Sequence, residues 1–417
     1  MSTVDLFIVF PLDPFSTAIG GAETWLRDFI KNAPDDFNIR FVGFTTNSVE
    51  RPPRRWTRAN LGKTELLFFP LFSRQGENRK PRVPISLTFS LSLAMARIEF
   101  SHSVLFFNRI EPALACVWND NPKVAVVHND IVKQHTRGVS EVLWSRFPSF
   151  YFVLERLLFA TISHVLVVSG ETLRFYQARY QSLETVFEFV PTWADRDVFY
   201  PENKPRSGLR DQMSGRTLAI RQWGTWILFV GRLQEQKNPN RLVDTFVEYL
   251  KVNSDAALII VGDGNLREST EGLVRLKGLE ARVVFLGSIG QDELAKLYRA
   301  ADVLLLSSNF EGMPMCVIEA LACGLPVVTT DVGEVRKLVI PGFSGEISES
   351  FNAADLSASL EAVVGNPHRY NAENCASAAA AYTPKKVLSP IYETIRRMYV
   401  GRYLGGSSTV ASADSMR

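Results

Sequence analysis

The chain has 417 residues, 46% of them apolar and 22% charged, with a formal net charge of +2. That is the profile of an ordinary soluble globular protein, and so small a net charge argues against wholesale nucleic-acid binding. Four cysteines, Cys116, Cys316, Cys323 and Cys375, form no CxxC pair and no metal-ligand spacing, which suits a reducing cytosol. At roughly 150 residues per domain, the length predicts two or three domains.

MSTVDLFIVFPLDP has no basic n-region and carries Asp5 ahead of its apolar run, so it reads as a first strand and not as a signal peptide. Short apolar runs then recur with amphipathic helical runs between them, the pattern of a parallel α/β sheet. Strands are predicted at 4–10, 39–44, 66–70, 104–107, 124–128 and 164–169. The apolar stretches 85–96 and 150–162 are too short or too charged to cross a bilayer as single helices. PENKPRSGLRDQMSGRT (201–217) is dense in Pro, Gly and charge and reads as a linker.

Alternation restarts beyond it, with strands at 226–231, 256–262, 283–287, 301–307 and 326–330. The predicted fold is α/β, two Rossmann-like doubly wound domains (1–205 and 218–385) facing across a cleft. A helix at 386–403 is expected to pack back on the first domain, and the polar tail 404–417 to be disordered.

Sheets of this kind bind ligands at the carboxyl ends of their strands. After WILFVG comes GRLQEQKNPNRL, where Arg232 and Lys237 place two cations just ahead of a helix N-terminus, a setting for phosphates. Taken alone, Arg232 and Lys237 are better explained as solvated loop charges. VGDGNL puts Gly262 and Gly264 around Asp263, which is often only a turn. FLGSIGQDEL exposes the backbone of Ser288 and Ile289 to a flat base, or is a plain strand-to-helix loop.

In SSNFEGMPMCVIEALACGLPVV, Pro314 predicts a helix starting near Met313–Met315, with Glu311 just before it and Glu319 inside it. Carboxylates accept hydrogen bonds from sugar hydroxyls, so Glu319 suits a ribose and Glu311 a hexose. Backbone N–H groups of Met313, Met315 and Cys316 would face the diphosphate or the sugar. The plainer reading is a helix-dipole acid and a surface charge. Near the N-terminus, Gly20 and Gly21 precede a helix and let a ligand approach the backbone; Glu23 lies in that helix's first turn. His128 ends a strand, a place where a histidine is more often structural than catalytic.

The ordered set GRL…KN, VGDGNL, FLG and E-x7-E followed by ALACGLPVV resembles the family-four retaining glycosyltransferases of the GT-B fold, closely over about 226–340. The resemblance implies that Arg232 and Lys237 contact the donor diphosphate, Glu311 the transferred sugar, Glu319 the ribose, and Ser288–Ile289 the base. Gly20 and Gly21 would form the family's glycine loop, and His128 would reach the transferred sugar near the reaction centre. Pro314 stands where many relatives have glycine, and Thr192 and Trp193 where an Asn-Gly pair is usual.

The expected activity is hexose transfer from a UDP- or GDP-sugar to a glycan or polyprenyl-linked acceptor, with no metal and no cofactor, in surface polysaccharide biosynthesis. A sugar-nucleotide epimerase of the same fold and a non-catalytic nucleotide-sugar-binding partner are the alternatives. The basic stretches 51–63 and 73–84 read as solvated loops, or more sharply as a contact with an acceptor diphosphate or a peripheral contact with the anionic inner face of the plasma membrane, helped by 85–96.

Overall fold

The computed structural model describes residues 3–16, 21–74, 85–128, 148–213 and 215–405. Gly20, His135, residues 75–84 of the second basic stretch and the tail from 406 lie outside them.

Two sheets organise the chain. The first has the order β3-β4-β2-β1-β5-β6-β7-β8, from β1 (Val4–Val9), β2 (Phe37–Thr45), β3 (Thr57–Leu61), β4 (Thr64–Ser73), β5 (Val104–Phe107), β6 (Lys123–Val127), β7 (His164–Val167) and β8 (Val186–Phe189). The second has the order β11-β10-β9-β12-β13-β14, from β9 (Thr225–Val230), β10 (Ala256–Val261), β11 (Val283–Gly287), β12 (Val303–Leu306), β13 (Val327–Thr330) and β14 (Gly345–Ser348). All pairings are parallel except β3 with β4.

Both faces of each sheet are covered, which is why the strands read as unbroken apolar runs. In β1, Leu6 and Ile8 enter one core while Phe7 and Val9 enter the core on the other face. In β9, Trp226 and Leu228 face one way and Ile227 and Phe229 the other.

The last helix, Pro384–Tyr403, starts with Thr383 as N-cap and Pro384 in its first turn. Val387, Leu388, Ile391, Tyr392 and Ile395 pack into the core of the first sheet. The Tyr392 hydroxyl donates to the Phe29 carbonyl, and Arg396 makes two 2.9 Å hydrogen bonds to Asp36. A buried aliphatic side chain contributes about 1.5–3 kcal/mol over an exposed one, so this helix ties the end of the chain firmly to its beginning.

The structure corrects two readings. The segment 201–217 is not a bare linker: it holds a helix, Arg206–Asp211, and enters a 3-10 turn at Gly215–Ile220. Leu209 and Ile220 are buried in the second core, and Arg210 donates to the carbonyls of Gly224 and Ala300 (2.6 and 3.0 Å). Composition marks this stretch as polar, yet Leu209 and the Arg210 fork dock it, with Ile220 buried just beyond. The stretch 51–63 is likewise not all loop, since Thr57–Leu61 is an edge strand antiparallel to β4. Its charges hide an alternation, as edge strands often do. β8 and β14, four residues each, were not legible as strands either.

Candidate functional site

Each sheet reverses its strand order once: between β1 and β5 in the first, between β9 and β12 in the second. These are the crevices where α/β sheets take ligands, and the loops there face each other across the two domains.

In the second domain, Gly231 follows β9 and the chain turns into the loop 232–238. A Cβ at Gly262 (φ +124°) would lie 2.0 Å from the Gly231 carbonyl, and one at Gly264 would lie 2.3 Å from the Leu233 carbonyl. The G-D-G turn is thus a backing that needs glycine for close approach. Asn238, left-handed at φ 47°, caps the Pro239–Leu250 helix by accepting from the Arg241 N–H. Arg241 donates onward to the Ser307 carbonyl (2.8 Å), and the Asn309 N–H donates to the Gln236 carbonyl (2.7 Å). The loops after β9 and β12 therefore behave as one unit.

Within it, Lys237 Nζ lies 2.6 Å from Glu311 Oε1, a pair 14% and 7% exposed. Ser308 Oγ donates to the same oxygen at 2.6 Å, and Gln236 Nε2 lies 3.4 Å from Oε2. Burial presses the Lys237 ammonium down, but the Glu311 carboxylate more than offsets this and leaves it above its ordinary range. An ammonium has three donors, so Glu311 does not exhaust Lys237. Arg232 is exposed and pairs with no described residue.

The helix Met315–Ala322 follows, with Pro314 as N-cap and no side-chain cap bond, so its first-turn donors include Met315 and Cys316. Cys316 is buried, and burial lifts its thiol to about 12. Glu319, 7% exposed, accepts from the Tyr298 hydroxyl at 3.0 Å. Burial raises its pKa to about 7. Ser288 is exposed and Ile289 half-buried after β11.

In the first domain, Gly21 opens the helix Gly21–Lys31, and nothing lies within 4 Å of a Cβ built there. His128 follows β6 and is half-buried. Its Nε2 lies 2.7 Å from Asn108 Oδ1, and its ring meets Trp25 edge-on at 5.4 Å. Burial first, and then the Arg109 charge, hold its pKa down at about 3, so the imidazole is neutral.

The two sets of loops touch. A Cβ at Gly312 would sit 3.1 Å from the His128 carbonyl, so the residue after Glu311 rests on the end of β6. Thr192 Oγ1 donates to the Met313 carbonyl at 3.2 Å, and Trp193 is buried against Trp25 (4.9 Å). Glu334 Oε1 accepts from the Gly170 N–H at 2.6 Å, capping the helix Gly170–Arg179 from the other domain. Met315 packs against the core of the first domain.

Lys237, Glu311, Met313, Met315, Cys316 and His128 thus gather around one cleft. Sequence reasoning overlooked Ser308, Gln236, Asn108, Tyr298 and Glu334. Asn108 was findable as the first polar residue after VLFF at a strand end. Ser308 was findable too, three residues before Glu311, whereas Gln236, Tyr298 and Glu334 depend on contacts distant in sequence.

Among the described residues no helix is long and apolar enough to cross a membrane, and no three His, Cys, Asp or Glu side chains are grouped to hold a metal.

A D-inositol 3-phosphate glycosyltransferase of Segniliparus rotundus is 28% identical over 226 residues, 53% of this chain and 47% of that one. The chain thus spans about half the length of the curated relatives it matches. Sucrose-phosphate synthase of Thermosynechococcus elongatus superposes with TM-score 0.76 at 18% identity, covering 95% of this chain and all of that one. Anabaena HepE, solved with UDP and glucose, superposes with TM-score 0.69 at 18% identity over 94% and 99% of the two chains. These likenesses show the GT-B fold, two Rossmann-like domains across a cleft. Residues 217–381, the part that holds Lys237, Glu311 and Glu319, match the sequence model of the family described as glycosyl transferases group 1.

Proposed function

We propose that this chain is a glycosyltransferase that moves a hexose from a UDP- or GDP-sugar to a glycan or lipid-linked acceptor. The observation that carries the reading is the buried Lys237–Glu311 pair at the second sheet's switch point, beside a helix N-terminus without a side-chain cap and the exposed Arg232. The group 1 family match and the UDP held by HepE support a nucleotide-sugar donor.

The leaving group is a nucleoside diphosphate, on which negative charge grows as the glycosidic bond breaks. Arg232, the remaining donors of Lys237 and the first-turn N–H groups of the Met315 helix oppose that charge without a metal. Glu311 orients hexose hydroxyls. Glu319 takes the ribose with Oε1, since Tyr298 occupies Oε2. Ser288 and Ile289 line the base, and His128 meets the sugar from the first domain, where Gly21 opens its helix. Retention follows a front-face course in which the leaving phosphate accepts the acceptor's proton. Closure of the cleft keeps water from the donor.

The acceptor side suits surface polysaccharide assembly on a polyprenyl carrier at the cytoplasmic face of the membrane. On the helix Ile85–Met95, Leu87, Leu91 and Met95 form an exposed stripe (47%, 57% and 66%). Phe89 of that helix shares a core with Phe69, against which Trp56 packs at 5.0 Å, and Trp56 is flanked by the exposed Arg54 and Arg55. Apolar stripe and basic strip together fit an anionic bilayer surface. Sedimentation with phosphatidylglycerol vesicles should fall for Leu91→Glu; unchanged sedimentation would remove the membrane from this reading.

The first test of the activity is thermal stabilisation by UDP, GDP, ADP and CMP, with Lys237→Ala alongside. A ligand at about 100 times its Kd adds roughly 2.7 kcal/mol to the native state. One nucleotide stabilising the parent and not the variant supports the donor site and names the base. No response to any of them would sink the transferase reading. Donor hydrolysis that requires Arg232 and Glu311 would separate it from a non-catalytic binding partner, and acceptor-dependent turnover from an epimerase.

A further inference from the structure

Asn108 stands directly after β5, at the switch point of the first sheet, and is fully buried. Its amide works in two directions. Nδ2 donates to the Ala22 carbonyl at 2.9 Å, in the first turn of the Gly21 helix, and Oδ1 lies 2.7 Å from His128 Nε2. The Ala22 carbonyl can only accept, so it fixes which end of the amide is the NH2. The other end, Oδ1, can then only accept, and the proton between Asn108 and His128 must sit on Nε2. A neutral imidazole carries one N–H. With Nε2 protonated, Nδ1 keeps a bare lone pair, and it makes no hydrogen bond with a described residue.

We propose that Asn108 is a positioning residue that holds His128 as the Nε2–H tautomer and so reserves Nδ1 as an acceptor for a substrate hydroxyl. The second half of this statement rests on the transferase reading above; the first does not. The sequence VLFFNR supplies the means. The β strand ends in four buried residues, and the next side chain is a short neutral amide instead of an acid. An aspartate there would stabilise an imidazolium, in which both ring nitrogens are donors. The charged groups around the ring agree with a neutral imidazole. Arg109 is cationic and opposes its protonation, and Glu311, across the contact at Gly312, is already engaged by Lys237. Trp25 closes the remaining side with an apolar edge.

The tautomer is read directly by long-range ¹H–¹⁵N NMR of the full chain, with the His128 signal identified by its loss in His128→Gln. The expected result is a pyridine-like Nδ1 and a protonated Nε2 throughout pH 5–8. A protonated Nδ1, an imidazolium or a mixture of tautomers in the parent would overturn the proposal, and this arm needs no substrate. In Asn108→Asp, the His128 midpoint should rise by about 1–3 pH units, the usual effect of an adjacent carboxylate. Turnover relative to the parent should then fall from pH 7 to pH 5, while UDP binding stays within about threefold because the diphosphate is held in the other domain. An unmoved midpoint with a parallel pH profile would assign Asn108 a purely structural role and overturn the proposal. If Asn108→Asp does not fold, the parent spectrum alone decides the tautomer. If the spectrum is as expected but no nucleotide binds, the transferase reading fails and the Asn108–His128 assignment stands.

Discussion

The two walls of the cleft are built on the same plan and carry opposite chemistry. Both place their residues in loops at a strand-order reversal. On the second-domain wall these are charged: Lys237 against Glu311 at 2.6 Å, with Arg232 exposed beside them. On the first-domain wall the key contact is neutral, Asn108 with His128 at 2.7 Å, the imidazole uncharged. A diphosphate is a concentrated charge and requires cations, whereas sugar hydroxyls require paired donors and acceptors at fixed positions. One fold can therefore present a charged wall and a neutral wall by changing only the residues at its strand ends.

The strongest way to break this comparison is Lys237→Ala. It leaves Glu311 buried without its counter-ion, which should cost about 3–5 kcal/mol in urea unfolding and abolish nucleotide stabilisation. Retained stability and retained nucleotide binding together would show that the charged wall is not one.

A smaller effect comes from pH. Burial lifts Glu319 and Asp28 to about 7, above the unfolded carboxyl range. Their contribution to folding is full below the unfolded pKa, near 4, and is lost as the pH rises to 7. His128 runs the other way: its contribution is full above about 6.5 and is lost as the pH falls toward 3. With two carboxyls against one imidazole, stability should peak near about pH 4 and fall toward pH 7, each carboxyl contributing about 2–3 kcal/mol to the decline between about pH 5 and 7.5. Glu319→Gln should flatten that decline in unfolding curves at pH 5 and 7.5; an unchanged slope would place the titration elsewhere.

Glu334→Gln probes the seam between the walls. The charge-assisted bond to the Gly170 N–H should be worth about 1.5–3 kcal/mol, and a neutral amide acceptor should retain roughly half. Hydrogen exchange at the start of the Gly170–Arg179 helix reports it, and protection equal to the parent would argue against the cap. Last, Arg58→Ala, far from either wall, removes an exposed pair with Glu65 at 3.6 Å and should change stability by no more than about 0.5 kcal/mol. It calibrates the series.

The loops that carry Lys237 and Glu311 were legible because they are short and their glycines, lysine and acids sit at strand ends that apolar runs announce. The neutral wall was less so. His128 stands out only as a polar residue after VAVV, and Asn108, 20 residues earlier, meets it because β5 pairs with β6. Arg210 and Leu209 were hidden in a polar stretch because composition averages over the few side chains that dock it.

Local chemistry is written in the chain: apolar runs that must be buried on both faces, turns that require Gly or Pro, and which polar groups follow each strand. These depend on neighbours a few residues away. The pairing of Glu311 with Lys237, the hold of Tyr298 on Glu319 and the capping of a helix of the other domain by Glu334 arise only on folding. The physical reason is that pairing and burial, which set charge state, depend on what the sheets bring together, and strand order is not written in any one segment.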